Sequence, residues 1–236
     1  MNTVALGEFL RDRTQYITDC TDNSVVELAA PWIHYESQDT CLTVSGCLDW
    51  RGEILMSAID AHSRAPDIAV GAVHFLILQL GHEPVADVLA FYGERAAAFA
   101  ELFDDKWLVD DLDENDQFTA GMPISAVLLV LDATMDPLMP ESPLRAWAVA
   151  HIAHTMLPTT AGLVAMSSFA PPPAESRPAR RLVSTDHVDQ DWPRVGCISI
   201  PGHPQFFGQA TAYTYLDDAR AALDNCREQT IRVPVV

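Results

Sequence analysis

The sequence predicts an α/β fold, with a mixed central β-sheet flanked by helices in a single domain over residues 1–236. Three runs are almost wholly apolar and rich in β-branched residues, as is typical of buried strands: 69–80, 125–137 and 161–170. Segments with helical periodicity lie between them. We expect 125–135 and 161–170 to be neighbouring parallel strands, joined by a helix over 142–157 through a right-handed crossover. No internal repeat or interdomain linker divides the 236 residues, a length that one buried core can organise.

The N-terminal third combines polar and apolar patterns. Residues 1–40 are expected to form a helical extension, because an apolar stripe of Leu6, Phe9 and Leu10 lies in a polar context. Residues 41–50 alternate in the manner of a strand. The run 69–80 then predicts a central strand.

The middle of the chain alternates helix, acidic segment and strand. Pro84 opens a stretch to residue 102 whose apolar positions recur at helical spacing. Residues 104–116 carry seven acids and predict a solvated loop. After the strand 125–137, Ser142 and Pro143 supply an N-cap and a first helical residue for a helix to residue 157.

The last quarter predicts smaller elements after the strand 161–170. These are a short helix at 192–195, strands near 197–200 and 210–216, and a C-terminal helix with a tail over 217–236.

The charge balance restricts the classes of partner. With 33 acidic and 14 basic side chains, the formal net charge of −19 repels phosphate backbones, which disfavours direct nucleic-acid binding. The one basic cluster is Arg177, Arg180 and Arg181. No apolar run has membrane-spanning length, and five scattered cysteines without a paired spacing indicate reduced thiols. We therefore expect a soluble, cytoplasmic protein without a membrane partner.

The order of elements resembles the GNAT acyltransferase superfamily, of an actinobacterial type, over residues 40–216. Three segments carry the resemblance: HFLILQL before an amphipathic helix, VLLVLDATMDP before a second helix, and LVAMSSFAPPP as a strand closing in prolines. The resemblance implies that strand 125–135 splays from its neighbour to pair with the pantetheine arm of acetyl-CoA. It further implies a glycine-containing loop whose amides bind the pyrophosphate.

That loop departs from the family pattern. Its key positions fall on Pro140, Pro143 and Arg145, with Glu141 between them. The prolines remove amide donors, and Glu141 adds a charge that repels pyrophosphate. Ser142, Leu144 and Arg145 remain as the residues that would hold an acyl donor, so the sequence predicts that no cofactor is bound in the ordinary way. Acyl-CoA or another acyl carrier is the alternative.

The resemblance also implies two catalytic candidates. Asp132 is the candidate base, because it is the only ionisable residue of the strand 125–135, which is otherwise apolar, and the alternative is that it only forms hydrogen bonds there. Family enzymes often use a tyrosine after the last core strand as the acid. Here Cys197 is the candidate, and a core thiol is its alternative.

Other combinations of reactive side chains favour structural roles. His151 and His154 share a helical face, yet the segment lacks an obvious third ligand, so we expect no metal site and one buried and one exposed histidine. Asp186, His187 and His203 have no nucleophile with a diagnostic context.

The acidic segment 104–116 contains large apolar residues that a purely solvating loop does not need. Trp107, Asp110 and Asp111 are therefore the candidate partner-binding residues. The alternative is that Trp107, Leu108, Val109 and Leu112 pack on the protein's own core.

Three functions follow from these patterns. The first is a GNAT-like pseudoenzyme that acts as an acidic binding or regulatory protein for a basic or cationic protein or small molecule, or for a second copy of itself. The second is an N-acyltransferase with a remodelled donor site. The third is an acidic inhibitor that mimics DNA.

Overall fold

The computed structural model describes residues 2–17, 25–38, 46–59, 61–62, 64–119, 121–168 and 188–235. The strands are β1 (Thr3–Ala5), β2 (Val25–Ser37), β3 (Cys47–Ala58), β4 (Asp67–Gln79), β5 (Phe103–Asp104), β6 (Trp107–Leu108), β7 (Ala126–Met135), β8 (Gly162–Ser167), β9 (Ile198–Ile200), β10 (His203–Ala210) and β11 (Ile231–Pro234). The α-helices are α1 (Leu6–Asp12), α2 (Val85–Phe91), α3 (Glu94–Ala97), α4 (Asp110–Asp113), α5 (Asp116–Thr119), α6 (Leu144–Met156), α7 (Val188–Val195) and α8 (Thr214–Asp224).

Nine of the described strands form one mixed sheet in the order β11-β2-β3-β4-β7-β8-β10-β9, with β1 adding in parallel to β4. The pair β5–β6 is a separate hairpin. Strands β7 and β8 are parallel neighbours over five paired positions, from Ala126 with Gly162 to Val130 with Met166, and α6 connects them. The sequence predicted this adjacency, and the structure confirms it.

Two apolar layers cover the central strands. Along β7, Leu128 and Val130 enter a core that α1, α6, α7 and α8 share, whereas Val127 and Leu129 enter a second core under α2, α3, α4 and α5. A strand covered on both faces needs apolar residues at successive positions. This explains why 69–80, 125–137 and 161–170 are continuous apolar runs.

The expected helical extension over 1–40 is wrong for most of the residues described. Only α1 and a following 3-10 turn are helical, and β2 is a long strand inside the main sheet. A β-bulge interrupts β2 between Ala29 and Trp32, where Ala30 has φ 53° beside Pro31. The bulge shifts the side-chain alternation, so no period of two runs through the segment.

The C-terminal segment also contributes to the sheet. Residues 231–234, expected to be a tail, form β11 and pair antiparallel with β2, from Ile231 with Leu28 to Pro234 with Val25. Arg232 Nε donates to Glu27 Oε1 at 2.8 Å across this pair. The strand expected over 210–216 is wrong, because β10 has already ended at Ala210 and α8 begins at Thr214.

Two further segments differ from the sequence prediction. The single helix expected over 84–102 is broken at Gly93, whose φ of 93° lies in the left-handed region. The expected loop 104–116 contains the β5–β6 hairpin, α4 and the start of α5. In the ranges that the structure describes, no helix is long and apolar enough to span a membrane.

The close approach of β4 and β7 gives a prediction about Gly71. A Cβ at Gly71 would lie 2.6 Å from the Thr134 carbonyl oxygen and 2.7 Å from Met135 Sδ. We expect Gly71→Ala to lower the free energy of unfolding by about 1–3 kcal/mol, because the backbone oxygen cannot rotate away. Urea denaturation measures the change.

The matched control is Gly7→Ala in α1, where the nearest atom to an added Cβ is Leu138 Cδ1 at 3.6 Å. Alanine there raises helix propensity by about 0.5–1 kcal/mol, so stability should hold or rise. Equal denaturation midpoints for the two variants would contradict the packing argument.

Candidate functional site

A β-bulge in the centre of β7 positions the first group of polar side chains. Phe75 pairs with Val130 and His74 pairs with Asp132, so Leu131 is an extra residue on β7. Leu131 packs against the second core, and Ala133 packs against the first. The bulge therefore turns Asp132 toward the face that carries α2 and α3, directly opposite His74.

Four side chains from four elements form a polar group here, the bulge cluster of Asp49, His74, Arg95 and Asp132. His74 Nε2 lies 2.7 Å from Asp49 Oδ1, and an Arg95 guanidinium nitrogen lies 3.6 Å from Asp132 Oδ2. A carboxylate bound to one imidazole nitrogen orients the ring, and the other nitrogen can then exchange a proton. This arrangement can support acid–base chemistry on an open sheet face.

The sequence prediction found one member of the bulge cluster and missed three. Asp132 is partly buried rather than enclosed, with 30% of its side chain exposed beside Arg95. His74 is the only ionisable residue in the run 69–80, the same signal that identified Asp132. Asp49 and Arg95 gave no such signal, because each lies within two positions of another charged residue.

The second region is the start of α6. Beyond Val130 and Met166, β7 and β8 are no longer paired, and β7 continues to Met135. Pro143, whose side chain makes no cap hydrogen bond, occupies the N-cap position, so the expected Ser142 cap is wrong. The amides of Leu144 and Arg145 are the first in the helix, and the Leu144 side chain is buried.

Arg145 is held by an acidic residue on α7. Its Nε donates to Asp191 Oδ2 at 2.7 Å, and one terminal nitrogen lies 2.5 Å from the same oxygen. Arg194 approaches the other oxygen of Asp191 at 3.4 Å. Asp191 is only 5% exposed, so the guanidinium neutralises a buried carboxylate. This ion pair conflicts with the expected contribution of Arg145 to pyrophosphate binding.

Cys197 lies in the first core, where 2% of its surface is exposed. Burial in this apolar environment raises the pKa of the Cys197 thiol. An enclosed thiol cannot reach a substrate on an open sheet face. The location favours a packing role over the expected role as an acid.

The two helical histidines differ in exposure, although the one expected to be buried is only half-buried. His151 is half-buried and stacks on Trp147, with ring centroids 5.5 Å apart, whereas His154 is exposed and lies 4.0 Å from an Asp217 oxygen. Among the described residues, no group of three or more potential ligands is arranged to hold a metal ion. Arg177, Arg180, Arg181, Asp186 and His187 lie outside the described residues.

The apolar residues of the acidic segment divide between the two interpretations. Leu108 and Leu112 are buried in the second core, and Val109 packs against it. Trp107 is 57% exposed, and Asp110 and Asp111 are exposed beside it in sequence. Three of the four apolar residues thus anchor the segment, and Trp107 remains at the surface.

His151 gives a prediction about pH. Burial, with a smaller contribution from Arg227, lowers the pKa of His151 below its ordinary value of about 6.5. As pH falls through that value, the unfolded chain takes up the proton first, so the folded state loses stability. When the pH is lowered from neutral to mildly acidic, we expect the free energy of unfolding to fall less for His151→Gln than for wild type. Urea titrations at each pH measure this.

The matched control is His154→Gln, because His154 is exposed on the same helix. Its pH dependence should stay closer to that of wild type than that of His151→Gln, because His154 is only a minor cause of the His151 shift. Parallel curves for wild type and His151→Gln would contradict the assignment to His151.

Comparison with known proteins does not add to this geometry. No family model, curated protein or solved structure matches the chain.

Proposed function

We propose that this chain is a GNAT-like pseudoenzyme, an acidic binding or regulatory protein that has lost ordinary acetyl-CoA binding. The Arg145–Asp191 ion pair at the start of α6 carries this proposal. In this ion pair Asp191 binds the guanidinium of Arg145, which lies at the N-terminus of α6. A GNAT-like donor site would hold pyrophosphate at this helix N-terminus.

The sheet supports the GNAT-like part of the proposal. Antiparallel strands β2, β3, β4 and β7 are followed by the parallel neighbour β8, and α6 joins β7 to β8. The pairing of β7 with β8 ends at Val130, immediately before the bulge. This is the kind of separation that the resemblance implies.

The loop 136–143 and α7 support the loss of the donor site. Pro140 and Pro143 have no N–H to donate, and Glu141 is exposed in the same loop. At an effective dielectric constant of ~20 and ~5 Å, each pair of like unit charges costs about 3 kcal/mol before screening. The Arg145 guanidinium at this helix turn is already engaged by the buried carboxylate of Asp191.

The surface around Trp107 supports the binding role. We define the Trp107 surface as Trp107, Asp110 and Asp111, all of which are exposed. An aromatic side chain contributes burial on association, and adjacent carboxylates attract a cationic partner. With a net charge of −19, the chain attracts basic partners at long range as well.

The bulge cluster favours a second candidate, an N-acyltransferase with a remodelled acyl-donor site. Asp132 would then be the base, beside a histidine that Asp49 orients. A donor that carries no pyrophosphate avoids the repulsion described above.

Donor binding separates the two candidates. We expect acetyl-CoA to bind with a dissociation constant no better than about 1 mM in isothermal titration calorimetry. Acetyl-pantetheine, which lacks the phosphates, is the matched ligand, and we expect it to give no heat either. Micromolar acetyl-CoA binding would refute the proposal. Clear binding of acetyl-pantetheine alone would favour the remodelled acyltransferase.

Partner binding gives a second test. We expect a short arginine-containing synthetic peptide to bind wild type at low ionic strength and to bind the variant Trp107→Ala, Asp110→Lys, Asp111→Lys about tenfold or more weakly. Fluorescence anisotropy of the labelled peptide measures the affinities.

The charge-matched control is Glu8→Lys, Asp12→Lys on α1. Both residues are exposed. Helix α1 follows β1, which pairs with the start of β4, whereas the β5–β6 hairpin contacts the chain just after the end of β4. The control substitutions therefore lie away from the Trp107 surface. Equal weakening in the two variants would mean that net charge alone attracts the peptide, and would contradict a defined surface.

A further inference from the structure

The β5–β6 hairpin has one buried and one exposed face. Phe103 pairs with Leu108 and both are buried, whereas Asp104 pairs with Trp107 and both are exposed. Directly opposed residues of an antiparallel pair have Cβ atoms about 4.5–5.5 Å apart on the same face. The Cβ atoms of Asp104 and Trp107 are therefore adjacent on the exposed face of the hairpin.

Gly81 fixes the position of the indole. A Cβ at Gly81 would lie 2.8 Å from Trp107 Cη2 and 3.0 Å from Cζ2, so the six-membered ring rests against the glycine backbone. The Gly81 N–H donates to the Lys106 carbonyl at 3.1 Å, which ties the hairpin to the end of β4. An exposed aromatic ring that is already immobilised loses little conformational entropy when a partner covers it.

The charges around the indole favour a cation. Asp104, Asp105, Asp110 and Asp111 are exposed, and none forms an ion pair with another residue that the structure describes. Lys106, in the turn between Asp104 and Trp107, is the only basic residue of 103–116. The hairpin therefore presents an aromatic ring beside carboxylates that form no ion pair within the described part of the chain.

We propose that Asp104 and Trp107 form a receptor for one arginine side chain of a partner protein. This inference rests on the proposed binding function and names the group that is recognised. The planar guanidinium stacks on the exposed part of the indole by a cation–π interaction and donates hydrogen bonds to the Asp104 carboxylate. Arginine suits the site better than lysine, because its flat fork can stack and donate at once.

The test compares two peptides that differ by one group. One short peptide carries a single arginine in a neutral background, and its twin carries citrulline, which keeps the shape but lacks the charge. NMR titration of wild type at low ionic strength follows the Trp107 indole N–H signal. We expect the arginine peptide to bind more tightly and to shift that signal.

Single substitutions then examine the two members of the receptor. We expect Trp107→Leu and Asp104→Asn each to weaken arginine-peptide binding about two- to fivefold and to reduce the preference over citrulline. Asp113→Asn removes an exposed carboxylate of α4 and should leave the preference unchanged. Gly81→Ala should reproduce Trp107→Leu by displacing the ring, and Trp107→Phe should retain part of the affinity.

The outcomes separate this inference from the function on which it rests. Equal binding of the two peptides by wild type, or an unchanged preference in Trp107→Leu or Asp104→Asn, overturns the arginine receptor. If the triple Trp107-surface variant still loses binding of the arginine-containing peptide in that case, the acidic binding function stands. If wild type binds no arginine peptide at all, both proposals are wrong.

Discussion

The apolar layers over the central strands β4, β7 and β8 determine where the bulge cluster and the unpaired end of β7 lie. Apolar layers enclose both faces of these strands up to Val130, and the sheet becomes polar on one face where the bulge at Leu131 begins. Burying a polar side chain without a hydrogen-bond partner costs free energy, so the polar side chains lie where the apolar layers end. The bulge cluster and the unpaired end of β7 both lie at this boundary.

The same constraint explains what the sequence could predict. Continuous apolar runs predicted β4, β7 and β8, because strands buried on both faces need apolar residues at every position. The helix α6 and its role between two parallel strands followed from proline and periodicity. The strand β2 was missed, because the bulge at Ala30 and Pro31 breaks its alternation. Likewise, Gly93 ends a helix inside an unbroken apolar period.

The candidate sites were less predictable, because their contacts join distant parts of the chain. Arg145 and Asp191 are separated by 46 positions, and His74 and Asp49 by 25, so neither pair has a local signature. Asp132 was identifiable as an isolated ionisable residue in an apolar strand. The exposure of Trp107 could not be separated from the burial of Leu108 and Leu112 until their packing was known.

The pairing of β11 with β2 has a consequence for folding during synthesis. Arg232 and Glu27 are 205 positions apart, and β11 leaves the ribosome after every other described strand. Until then the N–H and C=O groups along the outer side of β2 between Val25 and Leu28 have no strand partner. A nascent chain therefore presents an open sheet edge, which is a template for pairing with other chains. Once β11 is made, it pairs with these groups, and this short strand, which ends in Pro234, is then the edge of the sheet among the described strands.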